Sequence, residues 1–104
     1  MTMEYRSWIA VADVPFSDEP TWMRLAEHLE RAHPEFGPVA SWEDDGTTIV
    51  FILANDEPDR ATAAANAARV VSEALHTAGL ADRFPEVCCV EEAHDLMPAS
   101  STGR

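Results

Sequence analysis

The sequence predicts an α+β fold in which two helices lie on one face of a four-stranded antiparallel sheet. Four segments have the residue pattern of strands, two have helical spacing, and turn or cap residues separate them in the order β-α-β-β-α-β. A length of 104 residues suits one compact domain rather than two. We therefore predict a single domain over residues 1–96 and a disordered tail over 97–104, where the residues are small and polar.

The first half of the chain predicts a strand and then a helix. Residues 5–14 are apolar and rich in β-forming side chains, and Pro15 ends this strand. Apolar residues recur at helical spacing over 21–32, which predicts the first helix. On its exposed side Glu27 and Arg31 stand four residues apart, in the order that favours an ion pair.

A hairpin follows the first helix. Residues 38–42 and 47–54 are the predicted strands, and Asp45-Gly46 is a turn signal between them. The 47–54 segment is apolar at every position after its two threonines, so both of its faces are apolar. This pattern is typical of a central strand that is covered on both sides.

The second helix is predicted from cap residues at both ends. Asn55 or Asp56 is the predicted N-cap, and helical spacing continues over 61–78. Gly79 is placed to adopt the left-handed conformation after the last turn, and Leu80 can make the hydrophobic contact of a Schellman motif.

A last strand over 87–93 completes the order β-α-β-β-α-β. This order is that of the split βαβ, or ferredoxin-like, arrangement. Two right-handed crossovers then give the strand order 4-1-3-2 and place both helices on one face.

Composition excludes several kinds of chemistry. The chain has 19 acidic and 7 basic residues, a net charge of −12, and its basic residues are all arginines. Without lysine there is no Schiff base, no pyridoxal phosphate attachment and no Walker-type phosphate lysine. An acidic chain also lacks the basic footprint that a nucleic-acid-binding protein needs. The bias towards alanine and arginine is typical of a high-GC bacterial genome.

The compartment is inferred from what the sequence lacks. The apolar run near the N-terminus is short, contains Asp13 and has no basic flank or cleavage site of the signal-peptide kind. No apolar run approaches the roughly 18 residues that span a bilayer. Cys88 and Cys89 are neighbours, and adjacent side chains of a strand point to opposite faces. We therefore predict a cytoplasmic protein without a membrane partner, whose cysteines are reduced, small core residues.

The most informative anomaly is that both faces of the central strands are apolar. Two helices cover only one face of the predicted sheet, whichever register the hairpin takes, and the apolar content of the chain is 46%. A homodimer that packs sheet on sheet covers the other face most simply. The residues assigned to this interface are Trp8, Ala10, Ala12, Trp42, Val50 and Ile52.

One polar cluster is a weak candidate site. Glu91, Glu92, His94 and Asp95 crowd the end of the last strand, and carboxylates with an imidazole can bind a divalent metal. No second histidine stands at metal-site spacing, so we predict no metal and no cofactor. No nucleophile–base motif or phosphate-binding glycine loop is present, and catalytic residues stay unknown.

These observations favour a small, non-catalytic interaction or regulatory domain that acts as a homodimer through the open sheet face. One alternative, by analogy of fold alone, is a dimeric α+β-barrel enzyme or ligand-binding protein of the small-monooxygenase or haem-handling type, with a cavity lined by Trp8 or Trp42. A second alternative is an acidic inhibitor of a basic protein, which requires carboxylates concentrated on one surface.

Overall fold

A computed structural model describes residues 1–93, in which one layer of helices packs on one layer of sheet. The helices and strands are β1 (Met3–Val11), α1 (Glu19–Ala32), a 3₁₀ turn (Pro34–Phe36), β2 (Val39–Trp42), β3 (Ile49–Glu57), α2 (Arg60–Thr77) and β4 (Glu86–Glu92). The predicted tail over 97–104 lies outside the described residues.

The sheet has the strand order β2-β3-β1-β4, and every neighbouring pair is antiparallel. Read from the β4 edge, the same order is 4-1-3-2. The prediction of an α+β fold with a four-stranded antiparallel sheet and two helices is therefore confirmed. The pairing of β1 with β3 is the longest, with nine residues of each strand in register.

The core lies between the helices and one face of the sheet. Ile9, Val11 and Phe51 face the helices from the two central strands and are essentially buried. Leu25 and Leu29 of α1 reach the same cluster, as do five of the buried residues of α2, which are Ala67, Val70, Val71, Ala74 and Leu75. Each fully buried large side chain stabilises the fold by about 1.5–3 kcal/mol relative to exposure.

The start of α2 differs from the prediction. Neither Asn55 nor Asp56 is the N-cap, because β3 continues through both residues to Glu57 in its ladder with β1. The N-cap is Asp59, whose Oδ1 accepts a hydrogen bond of 2.8 Å from the backbone N–H of Thr62. Asn55, Asp56 and Asp59 are all residue types that cap helices well. Because Asn55 and Asp56 are paired in β3, Asp59 is the one that caps α2.

The end of α2 is as predicted. Gly79 has φ +82°. Its N–H donates to the carbonyl of His76 at 3.2 Å, and the N–H of Leu80 donates to the carbonyl of Leu75 at 2.7 Å. These are the two hydrogen bonds of a Schellman motif. Leu80 also packs against the core cluster, which is the hydrophobic contact that accompanies the motif.

The predicted ion pair between Glu27 and Arg31 is not formed. The i,i+4 pair that does form lies on α2, where Arg69 Nη1 is 2.9 Å from Glu73 Oε2. His33, just after α1, brings its Nε2 to 3.4 Å from Glu73 Oε1. This contact connects the end of α1 with the middle of α2.

Asp59 gives a testable pH dependence. The hydrogen bond from the Thr62 N–H holds the pKa of its carboxyl below the ordinary value. Because the folded-state pKa is depressed, the ionised cap stabilises the fold above the unfolded pKa of about 3.9, and this contribution is lost as pH falls through the folded-state pKa. We expect the melting temperature of Asp59→Asn, an uncharged acceptor, to lie below that of the wild type at pH 7 and to converge with it near pH 2. A difference that is constant with pH in circular-dichroism melts would contradict this.

Ser7 gives a second prediction. It is fully buried on the helix side of β1, and its Oγ has no hydrogen-bond partner among residues 1–93. Ser7→Ala therefore removes an unpaired polar group and loses no hydrogen bond. We expect the free energy of unfolding in urea to stay unchanged or to rise by up to about 1 kcal/mol. A loss of more than that amount would show that the hydroxyl has a partner.

Candidate functional site

The face of the sheet that the helices leave uncovered, called the open face from here on, is the leading candidate site. Residues paired across antiparallel strands share a face, so the register sorts each strand into helix-facing and open-face residues. One row of the open face crosses all four strands, and its residues are Val39, Ile52, Trp8 and Cys89. We call this the apolar row, since none of its side chains carries a charge.

A second row lies beside the apolar row, towards the hairpin. It consists of Ser41, Val50, Ala10 and Glu86. Ala10 and Val50, on the central strands, are 8% and 9% exposed, yet neither belongs to the core cluster under the helices. The open face is therefore apolar at its centre and acidic at the β4 end of this row.

A third row, on the other side of the apolar row, contains Ala54, Arg6 and Glu91. Arg6 is directly opposite Glu91, so positive and negative charge alternate at this margin. The open face thus has an uncharged centre with charged margins, which is how protein interfaces are commonly built.

Four of the six predicted interface residues lie together on the open face: Trp8, Ala10, Val50 and Ile52. Ala12 is exposed in the bend that follows β1, outside the paired strands. Trp42 is a correction, because its pairing with Ile49 puts it on the helix side. The sequence of β2 alone does not reveal which of its alternate residues face the helices.

Trp42 belongs to an aromatic cluster on the helix side. Its ring centroid is 4.7 Å from that of Trp22 and 5.1 Å from that of Phe16, both in edge-on geometry. Its Nε1 donates to the carbonyl of Val14 at 2.9 Å, so its polar atom is satisfied. The cluster fixes the β1–α1 loop against β2. Phe16 lies in a loop, where the sequence has no helical or strand periodicity to indicate that its ring is packed.

The two cysteines are free and exposed, so the prediction that they are core residues is wrong. β4 is an edge strand, and its register with β1 shifts between Trp8 and Ile9. Cys88 is the extra residue of this bulge, and Cys89 lies opposite Trp8. Partial burial of the sulfur, and then the negative charges of Glu86 and Glu43, raise the pKa of the Cys88 thiol.

A groove between α1 and β2 is a second candidate site that the sequence did not reveal. It encloses about 470 Å³. Its lining residues are Trp22, Met23, Ala26, Glu27, Leu29, Glu30, Pro38, Val39, Ala40 and Phe51. Side chains of α1, β2 and β3 meet in it only once the chain is folded, so no local sequence motif identifies it.

The predicted polar cluster at the end of β4 is not assembled by the described residues. Glu91 pairs with Arg6 on the open face, whereas Glu92 pairs with Tyr5 on the helix side. His94 and Asp95 lie outside the described residues. Within residues 1–93, no group of three or more histidine, cysteine, aspartate or glutamate side chains is placed to hold a metal ion.

Comparisons of the chain with protein-family models, with curated proteins and with solved structures found no match. Among residues 1–93, neither helix has the length and apolarity required to cross a bilayer.

The raised pKa of Cys88 predicts slow thiol chemistry at neutral pH. In the single-cysteine variant Cys89→Ser, we expect the rate of reaction with a disulfide reagent to reach half its maximum at a higher pH than for cysteine in a short peptide. Glu86→Gln in that background should move the midpoint down, because it removes a negative charge near the thiol. Glu35→Gln, on the 3₁₀ turn, is the matched control and should leave the midpoint unchanged. A midpoint at or below the peptide value would contradict the prediction.

Proposed function

We propose that this protein is a small, non-catalytic interaction or regulatory domain of ferredoxin-like architecture, which acts in the cytoplasm as a homodimer. The two copies pack their open faces against each other. The observation that carries the proposal is the apolar row, which crosses all four strands on the face without helices. A soluble monomer ordinarily places polar side chains at alternate positions of such a face.

A second copy of the chain is the partner that the open face fits best. In a two-fold symmetric dimer the same surface is used twice, so an apolar centre meets an apolar centre. The charged margin can also be matched, since Arg6 of one copy can approach an acidic residue such as Glu91 of the other. Sheets stacked in this way pack about 10 Å apart.

The edges of the sheet are poorer interfaces than its face. β4 is interrupted by the Cys88 bulge and carries Glu86 and Glu91, features that protect an edge strand from pairing with another chain. β2 has four residues and is preceded by Pro38, which lacks a backbone donor. Face-to-face packing is therefore favoured over a continuous sheet.

The area of the open face shows how much of it a dimer must use. At about 3.4 Å along a strand and 4.8 Å between strands, the 29 strand residues cover roughly 470 Å² in projection. A standard interface buries about 800 Å² of accessible surface on each partner, and side-chain relief makes accessible area larger than projected area. The dimer therefore has to cover the whole face, including its charged margins.

Net charge opposes association and gives the dimer a salt dependence. Each copy carries a net charge of −12, so two copies repel each other at long range. Salt screens this repulsion, whereas the apolar contact at the centre is not weakened by it. Added salt should therefore strengthen the dimer.

The other two hypotheses have less support. An enzyme of the α+β-barrel type requires a cavity between the sheets lined by Trp8 or Trp42. Trp8 lies on the open face, but Trp42 faces the helices, so one of the two expected lining residues is placed for such a cavity. An acidic inhibitor requires carboxylates concentrated on one surface. The exposed carboxylates are spread over the β2–β3 hairpin, α1 and β4, which gives no single acidic surface among the described residues.

The dimer is tested by placing a charge in the apolar row. We expect size-exclusion chromatography with light scattering at tens of micromolar to give twice the chain mass of 11.4 kDa for the wild type. Ile52→Glu puts one carboxylate from each copy into the interface, and burying unpaired charge costs several kcal/mol. The dissociation constant should rise by at least about 100-fold, so that the variant is monomeric.

Ala65→Glu is the matched control. Ala65 is exposed on α2, so this variant gains the same charge on the opposite side of the molecule. It should stay dimeric, and both variants should keep the wild-type circular-dichroism spectrum. A wild-type monomer, or an Ile52→Glu variant that stays dimeric, would overturn the proposal.

A further inference from the structure

We propose that the groove between α1 and β2 binds a small organic cation with an apolar body, the class to which aralkyl amines belong. The groove borders the open face and shares Val39 with it, whereas its other described lining residues lie on α1, at Pro38 and on the helix side of the sheet. Its apolar walls and its charge are present in a single copy, so the inference does not require the homodimer.

The walls of the groove provide the apolar part of the site. Trp22 and Leu29 line it from α1, Ala40 lines it from β2, and Phe51 lies on the central strand between them. Met23 adds a flexible, polarisable side chain that is 36% exposed. A volume of about 470 Å³ lies within the range of small-molecule sites, which is about 300–1,000 Å³.

The charged part of the site consists of two carboxylates. Among the described residues of the lining, Glu27 and Glu30 are the charged ones, and they stand three apart on α1, which puts them on one side of the helix. Both are exposed, and neither has an ion pair or hydrogen bond with the residues that the structure describes. No arginine of residues 1–93 lines the groove to neutralise these two charges.

The combination of walls and charge defines the ligand class. An aromatic or aliphatic body can displace water from the apolar walls, while an ammonium group at one end approaches Glu27 and Glu30. An anion would be repelled, and a neutral analogue would lose the interaction with the carboxylates. Each carboxylate is solvent-exposed, so the expected preference for the cation is about tenfold rather than many orders of magnitude.

Three probes of similar shape and different charge separate the contribution of the apolar walls from that of the two carboxylates. We would titrate phenethylamine, phenethyl alcohol and phenylacetate into ¹⁵N-labelled protein and follow backbone amide shifts by NMR. Phenethylamine should bind about tenfold more tightly than phenethyl alcohol, and phenylacetate should bind most weakly. The shifts should concentrate on α1 and β2. Shifts scattered over the acidic surface, or equal affinities for the three probes, would overturn the proposal.

Two charge variants distinguish a local site from the general attraction of an acidic protein for cations. Glu27→Gln with Glu30→Gln should reduce the affinity for phenethylamine to that for phenethyl alcohol. Glu19→Gln with Asp44→Asn removes the same charge from exposed residues outside the groove and should change the affinity less than twofold. An equal loss in both double variants would show that only net charge matters, and would refute the site.

A filled groove tests the apolar walls. Ala26 is half-buried in the lining, and Ala26→Phe places a ring where the body of the ligand would lie. This variant should lose binding of both phenethylamine and phenethyl alcohol while the melting temperature stays near that of the wild type. If a folded Ala26→Phe variant keeps wild-type affinity for phenethylamine, the ligand does not occupy the groove and the proposal fails.

Discussion

The pairing of β1 with β3 imposes the constraint on which the rest of the structure depends. Both strands are apolar on their two faces, and both occupy the centre of the sheet. One face packs against α1 and α2, with Phe51 and Ile9 at the middle of the core. The helices cannot cover the second face as well, since both belong to the same layer. The apolar row is the direct consequence of these two facts.

The remaining features of the sheet agree with packing through its face. The bulge at Cys88 interrupts the regular backbone of the β4 edge. At the other edge, β2 offers only four residues for pairing with another strand. The groove lies between α1 and β2 at the edge of the sheet, and Val39 is the residue that it shares with the open face. The proposed dimer surface and the proposed ligand groove therefore meet at the β2 edge of the sheet.

Local sequence signals predicted the order of elements and several of their ends. Gly79 could be placed because a left-handed residue after a helix strongly favours glycine, and Leu80 confirmed the motif by its contact with the core. The open-face group of Trp8 and Val50 followed from strand alternation, which has a fixed period of two.

The features that could not be predicted depend on contacts distant in sequence. Trp42 lies on the helix side because of its register with β3, which β2 alone does not encode. The exposure of Cys88 follows from a bulge against β1, and the N-cap at Asp59 follows from how far β3 pairs. The groove requires α1 and β2 to be placed relative to each other before any of its residues can be recognised.

The most direct test of the central claim is an isotope-filtered NMR experiment on a mixture of ¹³C-labelled and unlabelled protein, which detects only contacts between copies. Packing through the open face predicts intermolecular signals from the Trp8 indole to the methyl groups of Val50 and Ile52. The account would be contradicted if no intermolecular signals appeared at millimolar concentration, or if they arose from the outer faces of α1 and α2.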